Sequence, residues 1–341
     1  MKLFAGPFIP LPGVLSMRSI SACLLALTAT LAAPALMAAE AKPAPLVMIV
    51  PFTQNGPTDN VARPVAEAMG RVLGRNVVIK NIVGGGGTVG ARQAARARAD
   101  GDTLMLTNLS QAAAPALYAQ PGYDPVKDFE PIGLVADVPM VLLGKSGLKA
   151  DSFDGLRQYL DKGSRKLVLG NAGKGSASHL CGLLLSHSLI KEFDQRAYPG
   201  TEQAVADLVT EGNIDLLCDQ VSNVLVPVKA KSVKVYGVTA AARLDVLPDV
   251  PTLAEQGLKG FELLAWHGLY APKGTPQVTL DRLGNALRSA LQDPKLKKDL
   301  LAIGARVAES DKATAKALRT RLESDVSRWQ EVVRAERAPP R

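Results

Sequence analysis

Two short stretches carry side chains whose types and spacing could do chemistry. In Gly170-Asn171-Ala172-Gly173-Lys174-Gly175-Ser176-Ala177-Ser178-His179, two hydroxyls stand beside an imidazole. A serine next to a histidine raises nucleophilic catalysis, in which the imidazole takes the hydroxyl proton and a carboxylate orients the ring. No G-x-S-x-G elbow is present, however, and spacing pairs no acid with His179. The other reading of these residues is a polar helix start that binds a ligand or caps the helix. The second stretch is Pro51-Phe52-Thr53-Gln54-Asn55-Gly56-Pro57-Thr58-Asp59. Its chemistry is anion binding, through backbone N–H groups and the Thr58 hydroxyl, with a plain capped helix start as the alternative. Asp219 follows the apolar run Leu216-Leu217-Cys218, where it either faces a ligand or caps the next helix. The three histidines, His179, His187 and His267, show no metal-ligand spacing with cysteine or a carboxylate. Gly85-Gly86-Gly87-Thr88-Val89-Gly90 fits G-x-G-x-x-G, but the next strand ends Leu106-Thr107-Asn108-Leu109-Ser110 without the acid a dinucleotide site needs. It reads as a tight loop allowing close helix–strand packing. No cofactor is expected.

These stretches need strands and helices to hold them. Val47-Met48-Ile49-Val50 is a β-branched apolar run before the first loop, and Leu167-Val168-Leu169 precedes the second. Each loop then leads into a helical pattern, with Val61, Val65, Met69 and Val72 on one face in the first case and Leu180, Leu183, Leu184 and Ile190 in the second. The N–H groups of a helix start are unpaired, and the helix dipole favours negative charge there. Pro64 falls late for a first-turn proline, so the first helix is expected to start irregularly. Strand and helix signals alternate from Val47 to Gly237, which predicts a parallel α/β architecture. Two anion cradles on two strand–helix units imply a ligand held between two lobes. Extended runs near Leu142 and Trp266 are the expected crossings, and two long helical stretches, near Val278–Leu291 and Ala313–Val333, close the chain.

The 341 residues suffice for two α/β domains. Met17-Arg18, an apolar stretch from Ile20 to Leu36 and Met37-Ala38-Ala39-Glu40 describe a secretory signal over residues 1–39. Ile20-Ser21-Ala22-Cys23 also resembles a lipoprotein cleavage box, but Arg18 lies too close for the usual apolar core. The formal charge is +8, and losing Lys2 and Arg18 with the leader lowers it by two, to +6. The basic residues are scattered without aromatic interleaving, so they form a solvated surface and not a nucleic-acid face. Cys23 leaves with the leader. Cys181 and Cys218 remain as an even pair in an oxidising compartment, either bonded or simply buried.

With these residues assembled, the chain resembles the Bug family, the periplasmic solute receptors of tripartite tricarboxylate transporters. The resemblance rests on Pro51-Phe52 followed by Gly56-Pro57-Thr58-Asp59, on Gly84 to Gly90, and on Asp100-Gly101 before Thr103-Leu104. It continues through Gly173-Lys174-Gly175-Ser176 with His179-Leu180, Tyr198-Pro199-Gly200, and Arg243 with Leu247-Pro248-Asp249-Val250-Pro251-Thr252 and Glu255. It ends on Trp266-His267-Gly268-Leu269 and Ala271-Pro272-Lys273-Gly274-Thr275-Pro276. Order and spacing together make it specific. The chain departs from the family at Thr53-Gln54-Asn55, where Pro-Pro-Gly is usual, and at Asp102, where tyrosine is usual.

The resemblance implies an α/β, two-lobed periplasmic-binding-protein (flytrap) fold with a discontinuous first domain. Residues 45–143 and 268–341 would form domain 1 and residues 144–267 domain 2. It implies a periplasmic, monomeric, non-enzymatic receptor for a dicarboxylate, an amino acid or an aromatic acid. The partners it implies are that carboxylate and the permease subunits of the transporter. The residues expected at the ligand are Phe52, Asn55, Gly56, Pro57, Thr58 and Asp59 of the first loop and Asn171, Gly175, Ser176, Ser178 and His179 of the second. Ser110, Gln111, Tyr198 and Asp219 are added from strand ends and loops. Two other readings stay open: a sensory module for a receptor kinase, and a hydrolase using Ser176 or Ser178 with His179.

Overall fold

The computed structural model describes residues 44–163 and 165–337. The expected leader, with Cys23 and its alternative cleavage box, lies outside the described residues. Among the described residues, no helix is long and apolar enough to cross a membrane.

The chain alternates as read. Strands β1 (Leu46–Val50), β2 (Val77–Asn81) and β3 (Thr103–Asn108) are joined by helices α1 (Pro57–Leu73) and α2 (Thr88–Ala95), and α3 (Ser110–Leu117) follows. The long strand β4 (Phe129–Lys145) leads to α4 (Phe153–Lys162), β5 (Val168–Asn171), α5 (Ala177–Leu189), β6 (Asp194–Ala197), α6 (Thr201–Val209), β7 (Leu216–Gln220), α7 (Val221–Lys229) and β8 (Val233–Val238). The chain ends with β9 (Leu264–Pro272), α8 (Gln277–Gln292), α9 (Pro294–Ala302), β10 (Arg306–Val307) and α10 (Ala315–Arg337).

The sheet is mixed, which corrects the parallel expectation. β1 pairs parallel with β2 and β3, and β5 pairs parallel with β6 and β7. The strands at the middle run the other way: β9 is antiparallel to both β3 and β4, and β4 is antiparallel to β7 and β8. The reason lies in β4. Its residues Phe129–Pro139 pair with β9, and Met140–Lys145 pair with β7 and β8. One strand therefore serves two ladders, and its near-continuous burial fits its mostly apolar sequence, with Glu130 and Asp137 at partly exposed positions. The fold is two-lobed, and the first lobe is discontinuous: β1–β3 come from the amino-terminal half, β9, β10 and the last three helices from the carboxyl-terminal half.

Local chemistry fixes the loops. α1 begins regularly at Pro57, which suits the first helical position because its missing N–H would be unpaired anyway. Pro64 sits inside the helix, so the expected irregular start does not occur. Val61, Val65 and Met69 are buried, each worth about 1.5–3 kcal/mol in water-to-core transfer, while Val72 at the helix end is 46% exposed. Asn55 takes φ 63°, the left-handed region that asparagine tolerates better than other non-glycine residues. The turn is thus kept where the family has glycine. The run Gly84–Gly87 has φ of 134°, 55°, 57° and 105°, a path that only glycine follows without strain. Gly90 lies against Pro51, where a Cβ would come within 2.7 Å of the proline Cβ. That close approach of helix α2 to the first loop is what the G-x-G-x-x-G spacing provides. Cys181 on α5 and Cys218 on β7 are joined by a disulfide, with Cα atoms 6.1 Å apart.

Candidate functional site

A narrow cavity of about 20 Å³ lies where the two lobes meet. Phe52, Thr53, Pro57, Thr58 and Asn108 line it from the first lobe; Ala172, Ser176, Ala177, Ser178, Gly200, Thr201, Asp219 and Gln220 line it from the second. Its polar lining is buried: Thr58, Asn108, Ser176, Ser178, Thr201, Asp219 and Gln220 are all at most 3% exposed. A ligand therefore reaches it only when the lobes part.

The common feature of the lining is the helix start. α1, α5, α6 and α7 all open at this cavity. Gly56 and Gly200 precede α1 and α6 without a side-chain cap. Helix starts leave N–H groups unpaired and carry partial positive charge, so four of them favour an anion. The Thr58 hydroxyl accepts from Asn108 Nδ2 at 2.9 Å, which leaves its own proton free to donate. Ser176 caps α5 by accepting from the His179 N–H at 3.3 Å, and its hydroxyl lies 3.1 Å from that of Ser178. Ser178 in turn accepts the Ala172 N–H at 3.0 Å. The second loop is thus partly closed on itself, and the hydroxyls of Ser176 and Ser178 face the cavity already oriented. No lysine or arginine is among the lining residues.

Acceptors are concentrated on the second lobe. Asp219 is 1% exposed and accepts from Asn223 Nδ2 at 2.6 Å. Burial pushes its carboxyl up to about 6, against hydrogen bonds from Asn223, Thr201 and the Gln220 N–H, with the nearby Glu202 charge raising it further. It does not cap α7, whose start has no side-chain cap. Gln220 Oε1 and Glu202 Oε2 are buried and have no protein donor among the described residues.

The remaining sequence-derived residues lie around the cavity and not on it. Asn55 and Asp59 are tied to each other, the Asn55 N–H donating to Asp59 Oδ2 at 2.8 Å. Asp59 also accepts from Arg63 Nε at 2.6 Å and from Asn81 Nδ2 at 2.9 Å. Gly56 lies beside Thr53 and Glu202. The Ser110 N–H donates to Asn108 Oδ1 at 2.9 Å, holding the side chain that reaches Thr58. Gln111 is buried with Nε2 unpaired among the described residues. Asn171 bonds Gln195 and the Gly173 N–H, both at 2.9 Å. The Tyr198 hydroxyl donates to Asp207 at 2.6 Å, and burial together with that carboxylate lifts the phenol to about 12. Gly175 donates its N–H to His179 Nδ1 at 3.3 Å. The imidazole is thereby committed to its own loop and not to a serine hydroxyl. Burial, with the Lys174 charge second, holds it neutral down to about 4.

Thr53, Asn108, Ala172, Gly200, Thr201 and Gln220 line the cavity without having been expected there. A usable signal existed for several: Asn108 closes β3, while Gly200-Thr201 and Gln220 stand between a strand and a helix, at the carboxyl ends where α/β sheets hold ligands.

Residues 61–337 match the tripartite tricarboxylate transporter family receptor. An Agrobacterium vitis relative, the UPF0065 protein of the TAR-I ttuE-ttuC' intergenic region, is 40% identical over 308 residues, covering 90% of this chain and 89% of its own. The structure of the periplasmic binding protein BugD is 42% identical with a TM-score of 0.82, over 86% of this chain and 98% of BugD. MatC from Rhodopseudomonas palustris, solved with bound malate, is 35% identical with a TM-score of 0.81, over 85% of this chain and 99% of MatC. The chain belongs to the tripartite tricarboxylate transporter receptor family of periplasmic solute-binding proteins.

Proposed function

We propose that this receptor captures a small carboxylate in the periplasm and delivers it to the permease subunits of a tripartite tricarboxylate-type transporter. The observation that carries the reading is the convergence of four helix starts on one buried cavity whose lining has no basic side chain. Such a site holds a carboxylate by amides and hydroxyls, directly or through water, and both lobes must contribute. Ligand contacts to both lobes stabilise the closed form, which is the whole of the mechanism: binding with domain closure, by a single chain, without covalent chemistry. The hinge is the pair of crossings in β4 and β9, with residues 45–143 and 268–341 moving against residues 144–267. Bound malate in the MatC relative supports the ligand class.

Within that class, Asp219 favours a ligand that also carries a donor. The first lobe offers Thr58, while Asp219 and Gln220 offer acceptors. An amino acid satisfies both sides, its carboxylate at the helix starts and its ammonium at Asp219. A hydrolase reading gains no support, because His179 accepts from the Gly175 N–H and meets neither serine hydroxyl. Delivery to a receptor kinase would use the same cavity and differ only in the partner.

A thermal-shift screen of the purified protein against dicarboxylates, amino acids and aromatic acids tests the reading. A ligand that binds only the folded state raises Tm, by about 2.7 kcal/mol of added stability at 100 times Kd. No shift with any carboxylate at millimolar concentration would overturn it.

A further inference from the structure

On one flank of the ligand cavity, the two lobes touch through an almost bare backbone. The first lobe presents Gly85 and Gly86, with Tyr118 at the end of α3; the second presents the segment Gly173–Gly175. The Tyr118 hydroxyl lies 2.6 Å from the Lys174 carbonyl oxygen, across the gap, and 2.9 Å from the Gly85 carbonyl oxygen on its own side. The Lys174 ammonium sits 5.6 Å from the centre of the Tyr118 ring. A Cβ on Gly86 would collide with the Lys174 carbonyl, and one on Gly175 would come within 3.4 Å of the Tyr118 ring. Contact this close exists only because both sides are glycine. On another flank, the cross-lobe bond from Asn60 Nδ2 to the Ser222 carbonyl is longer, at 3.4 Å.

We propose that Tyr118 is the bolt of an interlobe latch that holds the closed form through protein–protein contact alone, before any ligand contributes. The hydroxyl has one proton and two carbonyls in reach. When the lobes part, the shorter bond to Lys174 is lost and only the longer contact to Gly85 remains, and that difference favours the closed form. Lys174 stands two residues before Ser176, so the latch grips the loop that lines the ligand cavity. Tyr118 is accordingly a positioning residue: it does not line the cavity, and it acts on the population of the closed state. One such bond is worth about a threefold to tenfold change in that population.

The test rests on the two-lobed receptor reading but needs no ligand. Spin labels at Val78→Cys on β2 and Gln203→Cys on α6, one exposed site per lobe, report the interlobe distance by pulsed dipolar spectroscopy. Cys181 and Cys218 are bonded to each other and do not compete for label. Gly86→Ala, which blocks the contact, supplies the open-state reference distance. Unliganded protein should show a closed population that Tyr118→Phe reduces by about threefold to tenfold relative to open, with Tm unchanged to within about a degree. The latch is overturned if Tyr118→Phe superimposes on the parent, or if the parent shows only the Gly86→Ala distance. Failure of every carboxylate to bind would leave these distances as they are, so the two readings fail separately.

Discussion

Asp59 and Asp219 are both buried aspartates beside a helix start, one in each lobe, yet they are built for opposite ends. Asp59 is 0% exposed and surrounded by donors: two nitrogens of Arg63, the Asn81 amide and the Asn55 N–H, between 2.6 and 3.1 Å. It also sits in the first turn of α1, where the dipole favours its charge. Asp219 has only neutral partners, a cavity on one side and the Glu202 charge nearby. Burial by itself does not mark a working acid. What separates the two is whether the oxygens are already matched: Asp59 locks the first loop, and Asp219 keeps capacity for a donor that the chain does not supply.

The largest expected effect breaks the matched acid. Asp59→Ala leaves Arg63, Asn81 and the Asn55 N–H without their acceptor, and should lower stability to urea unfolding by about 2–4 kcal/mol. The lower half of that range is favoured because the Arg63 side chain is 45% exposed. A loss under about 1 kcal/mol would erase the contrast.

Asp219→Asn should do the reverse in the unliganded protein. The folded carboxyl titrates at about 6, above its ordinary value of 3.8. Well below pH 3.8 it is protonated folded or unfolded. As pH rises toward 6 the unfolded chain ionises first, and stability falls by an amount on the order of 3 kcal/mol. Asparagine removes that loss. The difference in Tm between variant and parent should therefore grow from pH 4 to pH 7 and stay level above. A difference independent of pH would mean that Asp219 is ordinary in the folded state.

The same variant sharpens the comparison on the ligand side. Asp219→Asn should cut the preference for aspartate over succinate by about tenfold, or about 1.4 kcal/mol, in competition binding. An unchanged preference would make Asp219 structural, like Asp59. The smallest effect concerns the donors. Thr58→Val and Ser176→Ala should each weaken carboxylate binding by about 1 kcal/mol in calorimetry without loss of fold. Unchanged affinity in both would remove the two loops from the ligand.

Much of this was legible in the chain. β1 and β8 stand on apolar, β-branched runs and β3 and β7 on short apolar runs of leucine, and both ligand loops follow a strand that runs into a polar helix start. The contrast between the acids was half-visible, since Arg63 lies four residues after Asp59 on one helix, where oppositely charged pairs meet. Asn81, which completes the set, comes from β2 and has no sequence signal. The short helix α9 does carry a sequence signal, Asp293-Pro294 at its start, the aspartate accepting from the Lys295 N–H at 2.8 Å. β6 was missed because Asp-Gln-Arg-Ala has no apolar period. The two loops imply that the starts of α1 and α5 meet on one ligand; that α6 and α7 join them has no sequence signal. It depends on β4 turning two ladders toward each other, which is a property of pairing and not of local composition.

β6 closes one edge of the sheet, bonded to β5 alone, and all four of its residues are exposed. An open edge is a template on which another chain can add a strand. With Asp194 and Arg196 of opposite sign and only four residues of length, this edge is a poor seed for such growth. The chain is thereby guarded against growing through this edge of its sheet.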